Sequence, residues 1–235
     1  MIRLFRLALA AVAVTTFAPS AKAETISLLR DPASGVSVSL NYLGSNITTG
    51  GGIFNWSQTG PINSNFNSAL PTYCIELDQG LSSAATTFTV QTNLTAAPLI
   101  GTTSKANAIT SLFDRFFNST IGNTSRQASF QLALWEIIYD GAPSTTRTES
   151  TSGKVRFDNT LAQSFLNDIQ NNAYYTNGSL AGNRLVALVN GTIQDQITVD
   201  PNPPVNNPVP APPAVLLAGI GALALLGRSR FSRAA

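Results

Sequence analysis

Histidine is absent, and cysteine and methionine occur once each in 235 residues. Without histidine the chain cannot run Ser-His-Asp or Cys-His catalysis, nor build a zinc site from histidine and cysteine. A lone cysteine, Cys74, excludes a disulfide within the chain. No glycine-rich phosphate loop is present, no internal repeat stands out, and neither a metal nor a cofactor is expected. Charged residues make up only 11% of the chain, with Ser, Thr, Asn and Gly supplying most of the polarity. That balance suits exported proteins rich in strands and loops better than cytosolic enzymes. The longest terminal apolar stretch, residues 214–227, would extend about 21 Å as a helix against roughly 30 Å of bilayer core, a poor permanent anchor.

The two ends carry addresses. Arg3 and Arg6 precede an apolar run, and Ala21-Lys22-Ala23 places small residues where a signal peptidase reads, so cleavage is expected after Ala23. At the other end, residues 209–235 join Val209-Pro210-Ala211-Pro212, the short apolar helix and a basic end with Arg228 and Arg230. This cassette resembles the PEP-CTERM sorting signal of Gram-negative bacteria in its short Val-Pro-x-Pro form, with Ala211 where the family name has Glu. The resemblance implies recognition and cutting by an exosortase-type membrane transpeptidase, with a transient stay in the inner membrane and then display at the cell surface, outer envelope or extracellular matrix. A plain C-terminal tail anchor is the alternative. The two ends hold six of the 14 basic residues and no acidic one, leaving 8 against 12, a net −4. The basic isoelectric point therefore belongs to the targeting segments, and no nucleic-acid partner is expected.

Residues 24–199 are long enough for one domain with a sizeable core. Residues 200–213, DPNPPVNNPVPAPP, read as a stiff extended stalk. Alternation predicts strands over residues 25–29 and 36–42, ended by Gly50-Gly51-Gly52, and further strands over 73–77 and 86–94. RLVALV and TIQDQITV around Asn190-Gly191 predict a tight hairpin. Between them, within about 102–172, lie three expected helices: one capped by Ser104, one capped by Ser125 over 126–139, and one over 160–172. Strands, helices, strands is the order of an α+β domain: an antiparallel β-sandwich or barrel with an inserted helical subdomain, flanked by an N-terminal signal helix and a C-terminal apolar helix.

The second helix, FQLALWEIIYD, has almost no polar face, which makes Gln131 conspicuous. A carboxamide buried without partners costs a few kcal/mol, so Gln131 needs either backbone partners or a chemical task. Cys74, on a predicted strand, offers the second: a thiolate can attack a glutamine carboxamide, expel ammonia and leave an internal thioester, a stored acyl electrophile for an amine or hydroxyl. Tyr73-Cys74 with Gln131-Leu132-Ala133-Leu134-Trp135 resembles the paired motifs of thioester domains in bacterial surface adhesins, with Phe130 where that family commonly has Thr. The resemblance implies Cys74 as thiol, Gln131 as acyl donor and Trp135 packed beneath the bond, on a β-barrel or sandwich with a helical bundle. Gln127, one turn earlier, is the weaker donor. The plainer alternative is that Cys74 and Gln131 are core and cap.

Other candidates are thinner. Glu76 and Asp78 would share a strand face and make an acid pair for glycoside hydrolysis, against the plainer reading of a solvated face. Glu136 and Asp140 read as a structural i, i+4 pair, and residues 144–152 as an exposed loop. Asn-x-Ser/Thr triplets at Asn46, Asn55, Asn93, Asn118, Asn123, Asn177 and Asn190 reflect an Asn- and Thr-rich surface. The expected protein is thus a non-enzymatic surface or matrix protein that attaches to a partner or an extracellular polysaccharide, covalently through the thioester or noncovalently without it.

Overall fold

The computed structural model describes residues 23–143, 153–171 and 184–200. The expected signal segment with Ala21, the loop over 144–152, Asn172, Asn177, the stalk beyond Asp200 and the sorting segment with Val209, Pro210, Pro212, Arg228 and Arg230 lie outside the described residues. Among the described residues no helix is long and apolar enough to cross a membrane.

Six strands close into an antiparallel barrel: β1 (Thr25–Arg30), β4 (Phe54–Gln58), β5 (Ala69–Cys74), β9 (Gln196–Asp200), β8 (Arg184–Val189) and β6 (Thr86–Gln91), in that order around the wall. A second sheet of β3 (Ser45–Gly51), β2 (Val36–Tyr42) and the two-residue β7 (Val155–Arg156) stands beside it. Three helices, α1 (Thr103–Thr120), α2 (Thr124–Asp140) and α3 (Thr160–Asn171), pack on one another, and α2 also packs on the second sheet. The α+β class and the order strands, helices, strands hold, and of the two architectures the wall is a barrel.

Alternation drives the strands. Ile26 and Leu28 of β1, Trp56 of β4 and Phe88 of β6 are buried, and the Trp56 and Phe88 rings meet edge to face at 5.6 Å although their strands both pair with β1 from opposite sides. Such a contact is possible only through the barrel interior, which fixes which face of each strand looks inward. Thr72 joins that interior because its hydroxyl accepts from the Trp56 indole at 2.9 Å. Cys74, two residues on, points the same way. Tyr73 points the opposite way, into a cluster of Phe113, Phe117 and Phe130 supplied by α1 and α2.

Several expected boundaries move. Gly50-Gly51-Gly52 ends the first strand region, but an unexpected strand comes before it: β3 runs through Gly51 and pairs with β2 along its full length. The two-residue turn at Leu43 and Gly44, both at positive φ, closes that hairpin, with Gly44 taking the left-handed conformation at no cost and Leu43 at a cost of about 1 kcal/mol. The strand expected over 73–77 stops at Cys74, and that over 86–94 stops at Gln91, with Leu94–Ala96 forming a 3-10 turn. The hairpin of β8 and β9 is present, but residues 190–195 form a wider loop in which the Asn190 side chain accepts from Thr192 and Ile193 amides. The helix caps are Thr102 and Asn123, two residues before the expected Ser104 and Ser125, and each side chain accepts from an amide three residues on. Asp200, expected to open the stalk, ends β9 with its carboxylate bonded to Arg184 at 2.9 Å.

Residues 129–138 of α2 are all buried, as the near-absence of a polar face requires. Each large side chain among them, Trp135 and Phe130 above all, contributes roughly 1.5–3 kcal/mol by leaving water. Gly51 of the second sheet lies close against α2. A Cβ there would stand 2.8 Å from Gln131 Cγ, 2.8 Å from Val38 Cγ2 and 3.3 Å from Trp135 Cη2.

Candidate functional site

Cys74 is the last residue of β5, directly opposite Gln196 of β9. In an antiparallel ladder both main-chain groups of a residue point to the same neighbour and alternate along the strand. Ile75 N–H donates to Asp195 on the β9 side at 2.9 Å, so the groups of Cys74 point the other way, toward β4. There β4 has already ended, its first residue Phe54 pairing with Thr72. Gln131 takes the vacant place. Its Oε1 accepts from Cys74 N–H at 3.2 Å, and its Nε2 donates to the Cys74 carbonyl at 2.8 Å. The carboxamide thus continues the ladder by one rung, satisfying itself and both strand groups far from water.

The thiol faces the other way, into the barrel end. Cys74 Sγ donates to Oε1 of Gln194 at 2.8 Å. Gln196 also touches the sulfur, with Oε1 at 3.8 Å and Nε2 at 3.6 Å. The structure therefore brings Gln131 to Cys74, as expected, but to its backbone, and the carboxamides against the sulfur belong to Gln194 and Gln196. A carbonyl carbon sits ~1.23 Å from its oxygen, so Gln194 Cδ lies within about 4.0 Å of the sulfur. The Gln194 amide is held at its other end, Nε2 donating to the Glu76 carbonyl.

These groups sit at a strand-loop junction. The main chain of Gln194 donates to Gly80 at 3.0 Å, and the Glu76 carboxylate accepts from Asp195 N–H at 3.0 Å, clasping the loop after β5 to the loop before β9. Cys74, Gln131 and Gln196 are fully buried, while Gln194 is 5% and Glu76 9% exposed, so what access there is comes past these two. Burial pushes the Cys74 thiol up to about 12, opposed by the Gln196 hydrogen bond and the Arg30 charge and reinforced by Glu76. Burial also raises Glu76, and it lifts Asp195 to about 6 against the lowering effect of the Asn190 amide. The resting sulfur is a protonated thiol beside a fixed carboxamide.

The other expected residues fall elsewhere. Gln127 donates to the Thr120 carbonyl at 3.2 Å and packs on Gly52. Trp135 is buried one turn beyond Gln131 and faces Gly51, and Tyr73 fills the aromatic cluster on the far side of its strand. Glu76 and Asp78 do not form a facing pair. Glu76 serves the Asp195 amide, whereas Asp78 accepts from the Tyr42 hydroxyl at 3.0 and 3.1 Å and from Tyr139 at 3.4 Å, since the strand expected to align them has ended. Asp140 accepts from the Lys154 and Val155 amides at 2.7 to 2.9 Å, and Glu136 is buried in α2. Among the described residues no cluster of three or more acidic, cysteine or histidine side chains is arranged to hold a metal.

Gln194 and Gln196 carry no mark in the sequence beyond a polar interruption of a strand. That interruption is the one available signal: in TIQDQITV two carboxamides stand at i and i+2, the spacing that puts side chains on one side of an extended chain. No family model, curated protein or solved structure matches the chain.

Proposed function

We propose that this chain is an exported surface protein that attaches covalently to a partner through an internal thioester between Cys74 Sγ and Gln194 Cδ. The observation that carries this reading is the 2.8 Å approach of the sulfur to the Gln194 carbonyl oxygen. The sulfur electron pair forms the S–Cδ bond through a tetrahedral adduct. The Cδ–Nε2 bond then breaks, and the nitrogen takes the thiol proton and leaves as ammonia. A primary amine or hydroxyl of the partner opens the product: its nitrogen or oxygen bonds to Cδ, and the sulfur departs with the proton. One acyl group transferred once makes an anchor rather than a turnover enzyme.

Gln131 supports this as a rigid backbone clamp. It fixes the Cα position from which the thiol projects, a task for which its two hydrogen bonds suit it better than acyl donation. The terminal segments fit the same role: a signal peptidase site at Ala21 and Ala23, and a sorting cassette for an exosortase-type enzyme that holds the inner membrane transiently before display at the surface.

The test is intact mass. The full-length chain, or the chain processed at its ends, weighs one ammonia less than its sequence, and methylamine restores mass by adding across the bond. Gln194→Ala and Cys74→Ala each abolish the deficit, and Gln131→Leu retains it. A second reading draws on the deep burial of the thiol and the full satisfaction of Gln131: a noncovalent matrix or polysaccharide-binding protein in which Cys74 is core. Under it Cys74→Ala leaves attachment unchanged.

A further inference from the structure

Inside the barrel a chain of hydrogen bonds runs to the sulfur. The Trp56 indole N–H donates to the Thr72 hydroxyl at 2.9 Å, and that hydroxyl donates to Gln196 Oε1 at 2.7 Å. Gln196 Nε2 donates to the Gln194 and Asp195 carbonyls at 3.1 Å each and lies 3.6 Å from Cys74 Sγ. Trp56, Thr72, Gln196 and Cys74 are each at most 1% exposed, so no water competes for these bonds.

The amide cannot be turned over. Reversing it would set Oε1 against two carbonyl oxygens, with no donor between them, in a site where an unsatisfied acceptor is costly. The Thr72 proton would also lose its acceptor, because an amide NH2 facing it accepts no hydrogen bond. Both ends of the relay therefore choose one orientation, in which Nε2 is the nearer atom to the sulfur at 3.6 Å and Oε1 lies at 3.8 Å. Three acceptors then share two hydrogens, and the sulfur is the member of that set whose charge grows during attack.

We propose that Gln196 is a positioning residue for the Cys74 sulfur, held with its NH2 toward the thiol by the Trp56–Thr72 relay, so that the sulfur is aimed at Gln194 and its developing negative charge meets an N–H donor. The inference rests on the thioester proposed for Cys74 and Gln194 and names the group that prepares its nucleophile. Without Gln196 the thiol keeps its backbone clamp but loses direction and an electrostatic partner, and displacement of a reacting atom by an ångström slows such steps on the order of 100-fold. The other charged groups that bear on the sulfur are Arg30 of β1 and Glu76 of the loop after β5, with Asp195 coupled to Glu76. These stay in place in every variant of the relay.

The test follows ammonia loss by intact mass in the full chain made by cell-free synthesis, after translation is stopped, from pH 6 to 9. Thr72→Val and Gln196→Leu are expected to lose ammonia at least roughly tenfold more slowly than the unsubstituted chain at each pH, because the sulfur has lost its direction and a donor. Thr72→Ser, which keeps the hydroxyl, is expected to restore the rate. Equal rates in Thr72→Val and Gln196→Leu would overturn the positioning role while leaving the thioester standing. No ammonia loss from the unsubstituted chain would overturn the thioester itself. Ammonia loss that survives Gln194→Ala but not Gln196→Leu would make Gln196 the acyl donor and overturn its role as a positioning residue. If Gln196→Leu fails to fold, Thr72→Val and Thr72→Ser decide alone.

Discussion

Replacing Gln131 by leucine removes a side chain that bonds only the main chain of Cys74 within this site, at 3.2 and 2.8 Å. Leucine fills most of the same volume, so the cavity contribution is small, and the loss falls on one N–H and one C=O left without partners at a residue that is 0% exposed. Each such buried orphan costs about 1–3 kcal/mol. Partial relaxation of β5 recovers some of this, and a net loss of about 2–4 kcal/mol is expected. With urea slopes of roughly 1–3 kcal/mol per molar, the unfolding midpoint falls by about 1 M or more, read by tryptophan fluorescence of Trp56 and Trp135. A midpoint unchanged within about 0.3 M would refute the ladder-rung role, because two unsatisfied groups at the barrel edge cannot be silent. The same variant separates the two donors: with Gln194 as acyl donor, the folded fraction of Gln131→Leu still lacks one ammonia.

Gly51→Ala places a methyl 2.8 Å from both Gln131 Cγ and Val38 Cγ2. It is expected to destabilise by about 1–3 kcal/mol through overpacking, seen as a lower urea midpoint, whereas Gly44→Asn meets open space and only the strain of its positive φ, which asparagine tolerates better than most residues, and lowers the midpoint less. Asp195 has its carboxyl raised from 3.8 to about 6 by burial, with Glu76 adding to the rise, so the native state binds the extra proton between those values. Stability therefore falls as pH climbs from about 4 to about 6 and is level above, and Asp195→Asn removes on the order of 2 kcal/mol of that slope, measured as urea midpoints at pH 4, 5, 6 and 7. An identical slope in the variant would assign the pH dependence elsewhere.

The coarse fold is legible because it depends on periodicity. Alternation in β1 and β2 and helical spacing in α1 and α3 are local properties, and tertiary structure does not override them. β3 is not legible, since SNITTGG carries no apolar alternation and its turn uses Leu43 at positive φ instead of the Asn-Gly that marks such turns. Half of the site is visible in the sequence. Cys74 stands out by being alone and Gln131 by sitting in an apolar helix, and both meet, but the contact is made by the backbone of one and the side chain of the other. Which face of a strand a thiol takes is set by register across β5 and β9, a pairing between residues more than a hundred positions apart. In the sequence, therefore, the two glutamines facing the sulfur look like ordinary members of a hairpin.

The central claim concerns one bond, and peptide mapping of the native protein tests it most directly. After mild acid quench and proteolysis, a single crosslinked species joining the peptide of Cys74 to the peptide of Gln194, one ammonia lighter than their sum, is the expected result. A full-mass Gln194 peptide together with a Cys74 thiol that takes up one equivalent of alkylating agent would contradict it.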